Sequence, residues 1–122
     1  MSALTTVPDL IAAGLARDTD TAALQQVAES FRIRITPSMQ SPSLAAQFVP
    51  SAAELITRPE ELTDPIGDAA HAPTPGLTHR YPDRVILHTT QTCEVYCRFC
   101  FRRETVGEDG PLSDAALTSA LE

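Results

Sequence analysis

The chain has no lysine; all nine of its basic residues are arginine. No Schiff base to a side-chain amine can therefore form within these 122 residues. No apolar run approaches the ~18 residues that a bilayer-spanning helix needs, so no transmembrane helix is expected. The amino terminus lacks a basic region, since Asp9 precedes the first arginine, and it does not read as a secretory signal. Cysteine is scarce too. There are three, an odd number, so any disulfide pairing leaves one thiol over. A cytoplasmic, reducing compartment is the expectation that suits free thiols. The net charge of −7 argues against general binding to nucleic acid.

With 43% hydrophobic and 20% charged residues, the chain has globular composition and is long enough for a modest core. Its cysteines cluster as Cys93, Cys97 and Cys100, spaced C-x3-C-x2-C within residues 92–103. Three soft thiolates this close can converge on one metal centre, iron–sulfur or zinc. Zinc would want a fourth ligand, which His88 or His79 could supply. An iron–sulfur cubane with three protein ligands would leave one iron open to a substrate or cofactor. The charge around this motif is uneven. Arg80, Arg84, Arg98, Arg102 and Arg103 face only Asp83 and Glu94 between positions 80 and 103, a local balance of +5 − 2 = +3. Glu104, Glu108, Asp109, Asp114 and Glu122 then form an acidic segment. The arginines read either as a site for carboxylate or phosphate ligands, or as the ordinary charges of a solvated loop.

Taken in order, Thr5-Thr6-Val7-Pro8-Asp9 reads as a helix start with proline in the first turn. A second helix is expected after Asp18-Thr19-Asp20, with Leu24, Val27, Ala28 and Phe31 on one face. Residues 31–36 alternate apolar and basic and end at Pro37, which suggests an extended segment with one buried face and solvated Arg32 and Arg34. Residues 42–48 suggest a short helix, and Ser51 with Glu54 has capping-box spacing. Residues 63–81 are rich in turn formers, as in a linker or extended arm, with His79 and Tyr81 expected as a half-buried pair. Residues 85–90 read as the buried strand of a parallel sheet. The cysteine loop would leave that strand's C-terminal end, where α/β folds place their chemistry. A helix capped by Ser113, with Leu112 and Leu117 at staple spacing, follows. The class is therefore α/β. One strand and one helix do not make a covered sheet, so the chain reads as an N-terminal piece of a longer protein.

The motifs together are more specific than the cysteines alone. Cys93-x3-Cys97-x2-Cys100, with Phe99 before the last cysteine, resembles the signature of radical S-adenosylmethionine enzymes. Asp64-Pro65-Ile66-Gly67-Asp68, then Pro75-Gly76-Leu77-x-His79-Arg80-Tyr81-Pro82-Asp83-Arg84-Val85, then residues 95–103 resemble the lysine 2,3-aminomutase family, as do Ile35-Thr36-Pro37 and Val49-Pro50-Ser51. The resemblance covers about residues 33–110. It implies an N-terminal helical arm over 1–63, an extended Pro/Gly-rich connector over 64–84, and the start of a radical S-adenosylmethionine partial (β/α) barrel over 85–122.

By the same resemblance, Cys93, Cys97 and Cys100 would ligate three irons of a [4Fe–4S] cluster whose fourth iron chelates S-adenosylmethionine. Reductive cleavage of that cofactor gives a 5′-deoxyadenosyl radical, and pyridoxal 5′-phosphate carries the migrating amino group. Arg80 and Tyr81 match positions that contact pyridoxal phosphate, Phe99 one that packs near the cluster and the adenine, and Arg102 the arginine that pairs with the substrate carboxylate. The implied reaction moves the 2-amino group of L-lysine to C3, giving β-lysine. Alternatives within the family are free glutamate or a lysine of elongation factor P, and a non-enzymatic metal-binding module is a remote one. The resemblance further implies an electron donor such as flavodoxin or ferredoxin, and a homo-oligomer at full length. The family's glycine-rich S-adenosylmethionine segment and pyridoxal lysine lie downstream, so no catalytic residue is expected within these 122 residues and the chain alone is expected to be inactive. Glu94 departs from the small residue or proline common in the family, and a carboxylate there would lower the cluster potential.

Overall fold

Thr6 begins the first helix, α1 (Val7–Ala12), and does so reciprocally. Its hydroxyl accepts the Asp9 N–H at 3.3 Å while the Asp9 carboxylate accepts the Thr6 N–H at 3.0 Å, a capping box with Pro8 in the first turn. These contacts hold the Asp9 carboxyl below its ordinary range, the Thr6 hydroxyl contributing most. The computed structural model describes residues 2–107 and 110–122; Glu108 and Asp109 of the acidic segment lie outside them.

A single 3-10 turn at Asp18–Asp20 leads into α2 (Thr21–Ser30), which buries Leu24 and Val27 as its periodicity requires. Ile33 and Ile35 follow on one buried face, and Ile35 exchanges two backbone hydrogen bonds with Leu4, 2.9 and 3.0 Å long. Pro37 then turns the chain into two 3-10 turns, Pro37–Met39 and Pro42–Leu44, and the one-turn helix α3 (Ala45–Phe48). Val7, Leu10, Leu24, Ile33, Ile35 and Phe48 close into one apolar core. Val95, from the cysteine segment, packs against it.

Residues 85–90 correct the expectation of a buried parallel strand. Strand β1 (Leu77–Tyr81) pairs antiparallel with β2 (Arg84–Leu87) across the two-residue loop Pro82-Asp83, with a bulge between Thr78 and Tyr81. Val85 and Ile86 are 50% and 47% exposed. Apolar character alone cannot tell a doubly covered strand from one arm of a hairpin. The turn formers Pro82-Asp83 between two strand-prone runs are the signal that separates them. His79 and Tyr81 are accordingly exposed rather than a half-buried pair. Among the described residues the sheet has two strands, so the chain is a mixed α/β assembly of short helices and one small antiparallel sheet.

After the cysteine segment, Ser113 caps α4 (Asp114–Leu121) by accepting the Ala116 N–H at 3.2 Å. Among the described residues no helix is long and apolar enough to cross a membrane.

The core carries a direct test. Ile35 is 1% exposed and sits between Leu4 and the helices. Ile35→Ala is expected to cost about 3 kcal/mol, read as a lower midpoint of urea unfolding at unchanged slope.

Candidate functional site

The cysteine segment is irregular backbone, so other elements must hold it. Its ends are tied to each other and to the neck that leads to α4. The Gly107 N–H donates to the Gln91 carbonyl at 2.7 Å, the Gln91 N–H to the Gly110 carbonyl at 3.2 Å, and the Leu112 N–H to the Thr89 carbonyl at 2.8 Å. Its middle is tied to the helical arm. The Tyr96 N–H donates to the Arg34 carbonyl at 2.9 Å and the Arg98 N–H to the Gln47 carbonyl at 2.7 Å. Tyr96 is buried, and a Cβ on Gly107 would stand 2.6 Å from its hydroxyl. With φ at +79°, position 107 needs glycine on both counts.

Arg98 is the strongest tie. Its Nε and Nη2 donate to the two carboxylate oxygens of Glu54 at 2.9 and 2.6 Å, and its Nη1 donates to the Arg32 carbonyl at 3.0 Å. The two side chains are 7% and 14% exposed, so the bidentate pair is largely removed from water. Arg32 and Arg34, expected to be solvated, serve the same purpose: Arg32 donates to the Gly107 carbonyl and Arg34 to the Glu94 carbonyl. Glu94 itself is exposed and meets Arg34 at 3.7 Å, a loose surface pair worth little.

The expected ligand contacts divide into two groups. Arg80, Tyr81 and Arg102 line one cavity of about 290 Å3 together with Asp68, Arg84 and the apolar side chains of Ile66, Val85 and Ile86. Arg84 stacks over the Tyr81 ring at 4.3 Å, and Arg102 lies 4.7 Å from the centre of the Phe101 ring. Cys93 and Cys97 are exposed, Cys100 is half-buried, and all three are free thiols. The Cys100 N–H donates to the Cys97 carbonyl at 3.2 Å, so a tight turn links those two. Among the described residues no three His, Cys, Asp or Glu side chains are gathered closely enough to hold one ion. His88 is tied to Thr78 at 2.9 Å instead. Phe99 is 80% exposed, beside Cys100 on a second, more open cavity.

No protein-family model matches the chain. Curated proteins do. The L-lysine 2,3-aminomutase of Clostridium subterminale is 42% identical over 91 residues, 68% of this chain and 22% of the relative. That of Acetoanaerobium sticklandii is 36% identical over 103 residues, 77% of this chain and 25% of the relative. The glutamate 2,3-aminomutase of Clostridioides difficile is 32% identical over 108 residues, 81% of this chain and 25% of the relative. The chain belongs to the lysine 2,3-aminomutase family. It spans about a quarter of the length of the curated relatives it matches.

Two carboxylates of this aminomutase-family chain escaped the sequence reading as partners of the site. Glu54 has a sufficient local role in its capping box, yet the same oxygen that accepts the Ser51 N–H at 3.2 Å also accepts the Arg98 Nε–H. Asp68 lies in a stretch of turn formers, yet it accepts the Arg102 Nε–H at 2.8 Å. Neither partner adjoins its arginine in sequence, and a residue with one sufficient local role gives no sign of a second.

Two measurements follow from these contacts. Removing one member of a largely buried pair strands the other. Glu54→Ala is expected to cost about 3–5 kcal/mol in urea unfolding, and Glu54→Leu combined with Arg98→Met to recover most of it. Asp64 sets the second. The Ala69 N–H, against some desolvation, and then the Asp68 N–H and the Arg80 charge hold its carboxyl below the ordinary value of 3.8. Its contribution is therefore complete above that value and lost as pH falls through the lower folded value. Amide exchange at Asp68 and Ala69 is expected to stay slow down to the ordinary Asp range and to quicken only below it. In Asp64→Ala it is expected to be fast throughout.

Proposed function

We propose that this chain is the cluster-binding part of a radical S-adenosylmethionine aminomutase that converts L-lysine to β-lysine. The observation that carries this reading is positional. Arg102, two residues beyond the last cysteine of a C-x3-C-x2-C motif, shares one cavity with Arg80 and Tyr81 from the hairpin.

Cys93, Cys97 and Cys100 fit a thiolate-held [4Fe–4S] cluster by donor chemistry, because all three thiols are free and none is spent in a disulfide. When bound, the cluster, S-adenosylmethionine and pyridoxal 5′-phosphate together supply the radical and the amino-group chemistry. The chain's own residues position. Arg102 would take the substrate carboxylate with its planar fork. Arg80 and Tyr81 would hold pyridoxal phosphate, and Phe99 would cover the cluster and the adenine. The residues then fall into a helical arm over 1–63, a connector over 64–84 and the opening of a partial (β/α) barrel over 85–122. A barrel would give Val85 and Ile86 the apolar cover that the hairpin alone does not. An electron donor such as flavodoxin or ferredoxin would reduce the cluster, and the assembled protein would be a homo-oligomer.

Free glutamate is the second reading, favoured by the match to a glutamate 2,3-aminomutase over 81% of this chain. Product analysis separates the two. The full-length enzyme, reconstituted with iron and sulfide and reduced without oxygen, is expected to turn L-lysine into β-lysine, and Cys97→Ala to abolish both the cluster absorption and the product. β-Glutamate from glutamate, with none of the lysine product, would move the assignment to the second reading. Product from neither would remove both free-amino-acid readings.

A further inference from the structure

The pair between Arg102 and Asp68 is required neither by the cysteine motif nor by the hairpin. Arg102 Nε meets Asp68 Oδ2 at 2.8 Å, with the side chains 29% and 20% exposed. Asp68 is fixed from behind. Its N–H donates to Asp64 Oδ1 at 2.9 Å, the Ala69 N–H donates to Asp64 Oδ2 at 2.8 Å, and the Gly67 N–H donates to the Asp64 carbonyl at 3.1 Å. Gly67 turns the chain at a φ of +70°, in the left-handed region. The carboxylate that meets Arg102 therefore stands on a turn with its own closed set of hydrogen bonds.

A guanidinium offers its donors along fixed edges. With Nε engaged by Asp68, the Nη1–Nη2 edge has no protein acceptor among the described residues. The Phe101 ring at 4.7 Å further limits how the group can turn. An arginine held at Nε loses less freedom when it binds a second anion than one that must first be immobilised. Charge does not oppose this. In the cavity the single carboxylate of Asp68 faces Arg80, Arg84 and Arg102.

We propose that Asp68 is a positioning residue: its Oδ2 holds the Arg102 guanidinium by Nε and leaves the Nη1–Nη2 fork to take the α-carboxylate of an amino acid entering the cavity. The inference rests on the reading of Arg102 as the carboxylate-binding group.

The test is a titration of the full-length enzyme with L-lysine and with L-lysinamide, which lacks the carboxylate; L-glutamate and its α-amide replace them if glutamate is the amino acid bound. Arg102→Lys is the control for the parent reading. Asp68→Ala is expected to weaken L-lysine binding about tenfold, in the range typical of partners that orient a binding group, and to change L-lysinamide binding less than about twofold. Asp68→Asn keeps an oxygen acceptor for Nε with the same shape and is expected to recover part of the loss, which also guards against a folding defect in the alanine variant. In Arg102→Lys the Asp68→Ala change is expected to add nothing. Equal losses for the acid and the amide would overturn the proposal, because Asp68 would then be merely structural. Tighter L-lysine binding in Asp68→Ala would overturn it in the other direction, making Asp68 a competitor of the substrate. If Arg102→Lys leaves L-lysine binding unchanged, the parent reading falls and takes the proposal with it. If Arg102→Lys weakens binding while Asp68→Ala does not, only the proposal falls.

Discussion

Where the cysteine segment sits depends on Arg98 reaching Glu54. The segment has no regular secondary structure to fix it, and two of its three thiols are exposed. What it has is one side chain, between Cys97 and Phe99, whose guanidinium meets a carboxylate on the helical arm at 2.9 and 2.6 Å. Desolvating two charges is costly, and a pair of apolar residues could give the arm comparable stability. The bidentate geometry supplies direction instead. It ties position 98 to position 54 in one orientation, and the backbone bonds from Tyr96 and Arg98 to Arg34 and Gln47 then set the register. The helical core beneath matters to the site chiefly because it makes Glu54 and the Arg32 carbonyl available there.

The second consequence is a division of the arginines. The local excess of positive charge reads as one basic patch in the sequence, and the structure separates it by partner. Arg98 is consumed by the arm, and Arg103 stacks over Phe31 at 4.1 Å. Arg80, Arg84 and Arg102 remain around one cavity beside the hairpin. The solvated-loop alternative therefore fails for Arg98, whose guanidinium is largely buried against Glu54, while the anion-site alternative narrows to the residues of the cavity.

Much of the local structure was legible. The helix start at residues 5–9, the Ser51–Glu54 capping box and the Ser113 cap are each signalled by residues within a few positions of one another, and each is present. The spacing of Leu24 and Val27 located α2 and its buried face. The misses were of another kind. Whether Val85-Ile86-Leu87 joins a covered parallel sheet or a hairpin depends on what lies beside it, and the Pro82-Asp83 turn was the only nearby sign. Glu54 to Arg98 and Asp68 to Arg102 span 44 and 34 residues. Pairings at that range follow from the fold, and charge type alone does not select among the available acids. The cysteines stand out by their spacing, and Arg80, Tyr81 and Arg102 only through the family resemblance; neither could reveal what supports them.

The proposed function requires Cys93, Cys97 and Cys100 to hold a cluster with one iron open for S-adenosylmethionine. The most direct measurement is the electron paramagnetic resonance spectrum of the reduced, reconstituted full-length enzyme, recorded with and without S-adenosylmethionine. A [4Fe–4S]+ signal whose g-values shift when S-adenosylmethionine is added is the expected result. A cluster signal that S-adenosylmethionine leaves unchanged would contradict it.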